Sequence, residues 1–569
     1  MSEPTRPLHQ PRVESDGSLV AHSVATPTSF KVRARVTVGS RKVIPVIFVP
    51  GIMGSNLRFR RNLEPQTGST VKPGEAAWRP PNGLIDGYRA MTLWSERDPA
   101  QRQRILNAGL LEVDPEGDLD YHGSLLDEHV MRERGWGEVH AASYGTVLVE
   151  LQRRLDKTYE RSTTTGKREV RSYWKRVMQV SPDRWGVRSI DKITEAELEK
   201  YAAYQYPVYA FGYNWLESCE VSGQRLRKRI EQIKKFWSER KHDCRKVILV
   251  THSMGGLVAR ACARMHESTD GEDPDIAGVI HGVMPALGAP VAYRRIACGT
   301  EGGNFTNQLM DNINAAAFAE IAGETAAETT PVMALAPGVL QLLPNHLYPR
   351  PWLHIKTIRT VNQKDEVHDL LALPDENPYD FYRDMTSWFR MIDPGLVDPA
   401  KLYTKSPGGI VRLVRERIDQ AERFHTRFLA VERDAAKPGT PYYHPNTYAF
   451  YGADAGLKTY ARIRWVARLP ASTRGVITPA NVRKAKLLAA SREGMREVAI
   501  ETDLRLRFAV WPQDSHGDET VPVESGAGPK PHVRQVFSAA GFRHQESYSH
   551  SDMLLLTRHL IVKIVQGMQ

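Results

Sequence analysis

Residues 247–260, VILVTHSMGGLVAR, constrain the fold more than any other stretch of the chain. Val247 to Val250 form a short uninterrupted apolar run, which suits a strand buried on both faces, as in a parallel sheet. After it, Leu257, Val258, Ala259, Ala261 and Ala263 suit a small-residue helix packed closely on that sheet. Ser253 therefore falls on the turn between strand and helix. Gly255 and Gly256 remove side-chain bulk where such a turn must be sharp. The turn lifts the hydroxyl above the sheet edge, and the free N–H groups of the helix start can stabilise a developing oxyanion. This is the geometry of a nucleophile elbow, usually G-x-S-x-G, with Thr251 standing where the first glycine is usual. The bland alternative is a turn serine that only caps the helix.

The flanking segments fit the same architecture. KVIPVIFVP (Lys42–Pro50) predicts a strand running directly into GIMGSNLR, after a further strand at Lys31–Val38. Tyr206–Trp215 predicts another, followed by a basic amphipathic helix over Glu217–Glu239 with Leu226, Ile230, Ile233 and Phe236 on one stripe. Further strands are expected at Ile276–Met284, Thr447–Gly452, Leu504–Trp511 and Val533–Ala539, and a terminal helix at Asp552–Val565. Strand–helix–strand order of this kind builds a mostly parallel α/β sheet with crossovers. Long insertions, about 57–205, 300–445 and 453–503, separate the sheet-forming pieces and are expected to fold as large helical caps, with the clearest helix at Ile410–Ala430. Phe305, Leu309, Ile313, Ala317 and Ile321 recur every four residues behind Gly302-Gly303. That stripe is expected to be an ordinary cap helix, with a mobile lid as the alternative.

The proline-bearing polar start, residues 1–28, is expected to be a flexible arm, leaving 29–569 as the folded part. It lacks the apolar core of a secretory signal, and no apolar window is long enough to span a membrane. The four cysteines, Cys219, Cys244, Cys262 and Cys298, show no metal-ligand spacing and are expected to be buried free thiols. Lys and Arg number 77 against 66 Asp and Glu, a formal charge of +11. A basic surface can favour anionic lipid, but no nucleic-acid-binding motif accompanies it.

A serine hydroxyl needs a base, and the base needs an orienting carboxylate. On a nucleophile elbow these follow in the chain order serine, acid, histidine. WPQDSHGDETVP (Trp511–Pro522) follows a strand and makes Asp518 the expected acid, with Asp514 and Glu519 as neighbouring alternatives. Four histidines lie beyond it. His532 precedes the last strand and His559 lies within the terminal helix, which leaves His544 and His550 on the loop between them. His550, just before a helix start that Ser551 or Asp552 can cap, is the expected base, with His544 the alternative. His252 adjoins the nucleophile but should diverge from it at a tight turn, packing against or tuning the elbow. The expected oxyanion donors are the amides of Met254 and Ile52, with Met53 the alternative to Ile52. The mechanism calls for no cofactor and no metal.

VPGIMGSNL, the Tyr-Asn-Trp at 213–215, THSMGG, TYAFYG, GDETVP and SHSDMLL occur in one order along the chain. Together they resemble the α/β-hydrolase lipases related to lecithin–cholesterol acyltransferase and to GPI inositol-deacylase. They are still more similar to bacterial lipase effectors delivered by type VI secretion systems. The resemblance covers the core segments, less than half of the chain. It implies a Ser253–Asp518–His550 triad and a phospholipid or other acyl-ester substrate at the membranes of rival bacteria. It also implies a cognate immunity protein in the producing cell, a secretion-apparatus component as a further partner, and synthesis in the cytoplasm without a signal peptide before delivery into the periplasm of target bacteria. The alternatives are a soluble carboxylesterase or acyltransferase with the same triad, and a non-catalytic binding protein on a hydrolase fold.

Overall fold

A computed structural model of the chain describes residues 12–13, 19–20, 40–63, 71–80, 84–161, 167–187, 189–266, 273–301, 319–431, 440–470, 477–501 and 504–568. Its centre is a six-stranded sheet. In chain order the strands are β1 (Val46–Val49), β2 (Val208–Ala210), β3 (Val247–His252), β4 (Ile276–Gly282), β5 (Thr447–Gly452) and β6 (Gln535–Ala539). Their spatial order is β6-β5-β4-β3-β1-β2, and every neighbouring pair is parallel.

The continuous apolar runs have the cause anticipated for them. β1, β3 and β4 are buried along their whole length. Because successive side chains alternate across a sheet, Val46, Phe48, Ile248 and Val250 enter one core, and Ile47, Val49, Val247 and Leu249 the other. The first core is closed by helices α1 (Ala141–Arg154) and α4 (Ser551–Gln566). The second is closed by α2 (Cys219–Glu239) and α3 (Gly255–Arg264). On α2 the apolar stripe is Leu226, Ile230, Ile233 and Trp237, while Phe236 sits only partly buried at the margin. A glycine is required where α2 and α3 touch: a Cβ on Gly223 would lie 3.0 Å from both the Ala261 Cβ and the Cys262 amide nitrogen.

The insertions contribute a second six-stranded sheet as well as helices. It consists, in spatial order, of Lys364–Leu373, Leu353–Val361, Ile463–Arg468, Leu504–Val510, Arg496–Glu501 and Lys486–Ala490. The strand at Leu504–Val510, expected in the central sheet, belongs here. Its alternation, with Leu506 and Phe508 buried, packs on a third core around Trp352, Trp388 and Trp465. The expected helix at Ile410–Ala430 spans Gly409–Arg427. The strand expected at Lys31–Val38 and residues 302–318 of the four-residue stripe lie outside the described residues. Of that stripe Ile321 is described, and it is buried in the second core. All four cysteines are buried free thiols. No described helix is long and apolar enough to cross a membrane.

Candidate functional site

β3 ends at His252, and Ser253 takes a left-handed backbone conformation with φ 51°. A non-glycine residue held there is a strained position of the kind found at active sites. The strain is fixed from both sides: the Ser253 amide donates to the Gly282 carbonyl at 2.9 Å, and the Gly256 amide donates to the Ser253 carbonyl at 2.9 Å. Glycine is needed at 255 because an added Cβ would meet the carbonyl oxygens of Val49 and Pro50 at the end of β1. The threonine that replaces the usual first glycine has its own place. Thr251 is fully buried, and its hydroxyl is 2.9 Å from Nδ1 of His281 on β4. Burial pushes His281 down to about 3, so that imidazole is neutral.

Asp518 lies at the end of β5, where Gly452 leaves room: a Cβ there would be 2.7 Å from the Asp518 Cβ. The carboxylate is buried and tightly held. Oδ1 accepts the amides of Thr520 at 3.1 Å and Val521 at 2.8 Å. The turn is completed by Glu519 at φ 77°. Oδ2 lies 2.9 Å from Nδ1 of His544, and Nε2 of His544 lies 2.8 Å from the Ser253 hydroxyl. The backbone repeats the link, with the His544 amide donating to the Asp518 carbonyl at 2.9 Å. Serine, imidazole and carboxylate thus form one continuous hydrogen-bonded line.

The histidine in that line is His544, which corrects the expected His550. The loop after β6 passes the sheet edge at His544 before it turns into α4. His550 is the residue that starts α4. Its carbonyl accepts the amides of Met553 and Leu554, each at 3.1 Å, and its ring packs on Phe542 at 5.7 Å. His532 stacks on Tyr443, and His559 is buried in α4 beside Trp185. Of the alternative acids, Asp514 accepts the amides of Ala461 and Arg462 and holds a loop of the second sheet, while Glu519 pairs with Arg543 at 3.5 Å.

The two expected oxyanion donors lie on either side of the serine. Met254 begins the turn into α3, and its amide donates to no other group among the described residues. Ile52 lies on the loop after β1, and its amide is likewise uncommitted among the described residues. That loop is held from several directions. The Gly51 amide donates to the Tyr144 hydroxyl at 3.0 Å, the Tyr213 hydroxyl donates to the Pro50 carbonyl at 3.0 Å, and the Trp78 indole donates to the Met53 carbonyl at 2.9 Å. Met53 itself sits at φ 61°. A Cβ on Gly51 would be 3.1 Å from that of Ser253, so the loop lies directly against the elbow serine. A cavity of about 690 Å³ elsewhere is lined by Glu217, Ser218, Pro337, Tyr403, Arg417 and Arg423, among others. None of Ser253, Asp518 and His544 lines it.

His252 is the residue whose importance the sequence understated. It is buried, and both of its ring nitrogens are engaged, with the Tyr144 hydroxyl at 3.1 Å and the His544 carbonyl at 3.0 Å. Tyr144 lies within an insertion, and no local pattern ties it to the elbow.

Comparison with known proteins agrees with this architecture. Residues 217–341 match the family described as "PGAP1-like alpha/beta domain". The solved structure "The crystal structure of Tle4-Tli4 complex" is similar at 29% identity, covering 92% of this chain and 99% of that one, with a TM-score of 0.71. "Phospholipase PlaB from Legionella pneumophila" matches at 7% identity over 56% of this chain and 73% of that one, with a TM-score of 0.14. No curated protein matches the chain. With its parallel sheet, its serine at the β3–α3 turn and its likeness to a chain of the Tle4–Tli4 complex, the protein has an α/β-hydrolase fold, and its residues 217–341 are similar to the PGAP1-like α/β domain.

Proposed function

We propose that the chain is a serine lipase or phospholipase that cleaves acyl esters of membrane lipids through an acyl-enzyme. The observation that carries this reading is the line from Ser253 through His544 to Asp518, with hydrogen bonds of 2.8 and 2.9 Å. His544 Nε2 takes the hydroxyl proton as Ser253 Oγ attacks the ester carbonyl carbon. The amides of Met254 and Ile52 hold the resulting oxyanion. As the tetrahedral intermediate collapses, the C–O bond to the alcohol or lysolipid breaks, and His544 returns the proton to the departing oxygen. Water then attacks the acyl-enzyme, with His544 again as base, releasing a fatty acid and restoring Ser253. Asp518 keeps the His544 proton on Nδ1 and stabilises the imidazolium.

The likeness to Tle4 in its complex with Tli4 supports placing the chain among the secreted antibacterial effectors and giving it a dedicated inhibitory partner in the producing cell. Its working site is then the periplasmic face of a target membrane, reached from the cytoplasm through a secretion apparatus. Two measurements test the proposal. A fluorophosphonate should label the wild-type protein covalently at Ser253 and leave Ser253→Ala unlabelled. Incubation with defined phospholipid vesicles, followed by mass spectrometry, should then show free fatty acid and lysolipid. Labelling at another residue refutes the nucleophile, and labelling of Ser253 without lipid products refutes the lipid substrate in favour of a soluble ester.

A further inference from the structure

We propose that His252 is a positioning residue of the hydrolytic centre, joining the oxyanion loop to the backbone of the catalytic histidine through Tyr144. The proposal rests on the triad reading above.

Nε2 of His252 lies 3.0 Å from the carbonyl oxygen of His544, which can only accept. Nε2 therefore carries the ring proton, and Nδ1 is an acceptor. The partner of Nδ1 at 3.1 Å is the Tyr144 hydroxyl, which must donate to it. The Tyr144 oxygen is then free to accept, and it receives the Gly51 amide at 3.0 Å. The Gln545 side chain, next to the catalytic histidine, bonds the same hydroxyl. The donors run in one direction: Gly51 N–H to Tyr144, Tyr144 O–H to His252, His252 N–H to the His544 carbonyl. No group is asked to donate and accept the same proton.

The surroundings keep this chain intact. His252 is 2% exposed and Tyr144 1%. The rings pack on one another and on Phe48 and Tyr548, with centroids 5.0–6.2 Å apart. Burial drives His252 down to about 3, so it stays neutral and does not compete with His544 as the base. The backbone twist at Ser253 is what allows adjacent side chains to serve different ends: the serine meets the His544 imidazole while His252 passes behind it to grip the His544 main chain. One side chain thereby fixes the base, and the next hydrogen bond fixes the loop bearing Ile52. With the Gly51 amide spent on Tyr144, the loop's donation to an oxyanion falls to the amides that follow.

The test compares His252→Leu, His252→Gln and Tyr144→Phe with wild type on a short soluble ester, recording kcat, KM and the unfolding midpoint. Glutamine can place an N–H near the position of Nε2, whereas leucine cannot. Misplacing a reacting group by about 1 Å costs on the order of 100-fold, so His252→Leu should lower kcat ~100-fold with KM little changed. His252→Gln should recover a large part of that loss. In proton NMR, the downfield resonance of the His544 Nδ1 proton should shift or broaden in His252→Leu. Tyr144→Phe removes one oxygen and should lower kcat while lowering the unfolding midpoint only modestly, since it unpairs the Gly51 amide and His252 Nδ1 but keeps the ring packing. It bears the test alone if His252→Leu does not fold. Wild-type kcat in Tyr144→Phe or in folded His252→Leu overturns the proposal, as do equal losses in the leucine and glutamine variants. An inactive wild type would instead overturn the triad reading on which it rests.

Discussion

The choice between His544 and His550 is sharp at the level of single side chains. His544→Ala removes the proposed base and should lower turnover at least ~1,000-fold, as for other members of a unit that acts together. His550→Ala should leave kcat within a few-fold of wild type and affect mainly the start of α4. Turnover of both variants on a soluble ester decides the matter, and an inactive His550→Ala beside an active His544→Ala would reverse the assignment. A parallel contrast separates the acids. Asp518→Asn should cost ~1,000–10,000-fold by disturbing the tautomer of His544, whereas Asp514→Asn should cost stability, because that carboxylate holds the Ala461 and Arg462 amides. Ser253 and Asp518 were legible in the sequence because each sits on a short turn whose glycines and strand neighbours declare it. The histidine was not, because a loop between a strand and a helix has no periodicity to say which of its residues meets the sheet edge. Helix-capping logic points to a residue that does start the helix, but the histidine bonded to Ser253 and Asp518 comes earlier, where the chain first passes Asp518. His252 was recognised as an elbow residue, and its partners were hidden because Tyr144 and the His544 carbonyl are remote in sequence.

Among the elements, the elbow places the strictest demand on the chain. Gly255 lies where a methyl group would strike two backbone carbonyls at the end of β1, and backbone cannot yield as a side chain can. Gly256 faces the flexible end of Met284, with His281 Nδ1 behind at 3.1 Å. Gly255→Ala should therefore cost ~1–3 kcal/mol through overpacking, and it should also lower kcat by moving α3 away from the loop that carries Ile52. Gly256→Ala should be the milder of the two. Thermal unfolding and ester turnover of the two variants check this, and equal effects would show that the elbow tolerates displacement. The same element explains what was readable in the fold. β1, β3 and β4 are largely apolar and buried throughout because both faces are covered, so their sequences mark them as central strands. Leu504–Val510 alternates instead, since one face of its sheet is less covered. That alternation identifies a strand without saying which sheet it joins, and the second sheet is assembled from this strand and segments of two insertions, whose pairing no local pattern encodes.

For the molecule as a whole, buried histidines set the response to acid. His252, His281 and His425 are driven down to about 3, and His444 and His559 to about 4, in each case chiefly because burial penalises the charged ring. In the unfolded chain the same groups titrate near 6.5. Below that value the unfolded state binds protons that the native state refuses, so stability is fully present above about pH 6.5 and declines as pH falls toward 4. The limiting slope is ~1.4 kcal/mol per pH unit for each such group. Asp156 and Glu138 act the other way. Asp156 is raised to about 6, and Glu138 is raised as well, each mainly by desolvation, so the native state takes up protons there as the solution acidifies. Five histidines against two carboxylates leave the balance with acid destabilisation. The lowered carboxylates Glu301 and Asp384 add to it at the lower end of the range. Against a typical stability of ~5–15 kcal/mol, the loss should be a measurable share as pH falls toward 4. Denaturant titrations at steps between pH 7.5 and 4.5 should show a midpoint that is level at the top of the range and drops steadily below about pH 6.5. His559→Phe should flatten that drop, because it removes a buried ring whose two nitrogens have no hydrogen-bond partner among the described residues, without touching the hydrolytic site. An unchanged midpoint down to pH 4.5 would show that these histidines are protonated in the native protein, and with them His252 in the network behind Ser253.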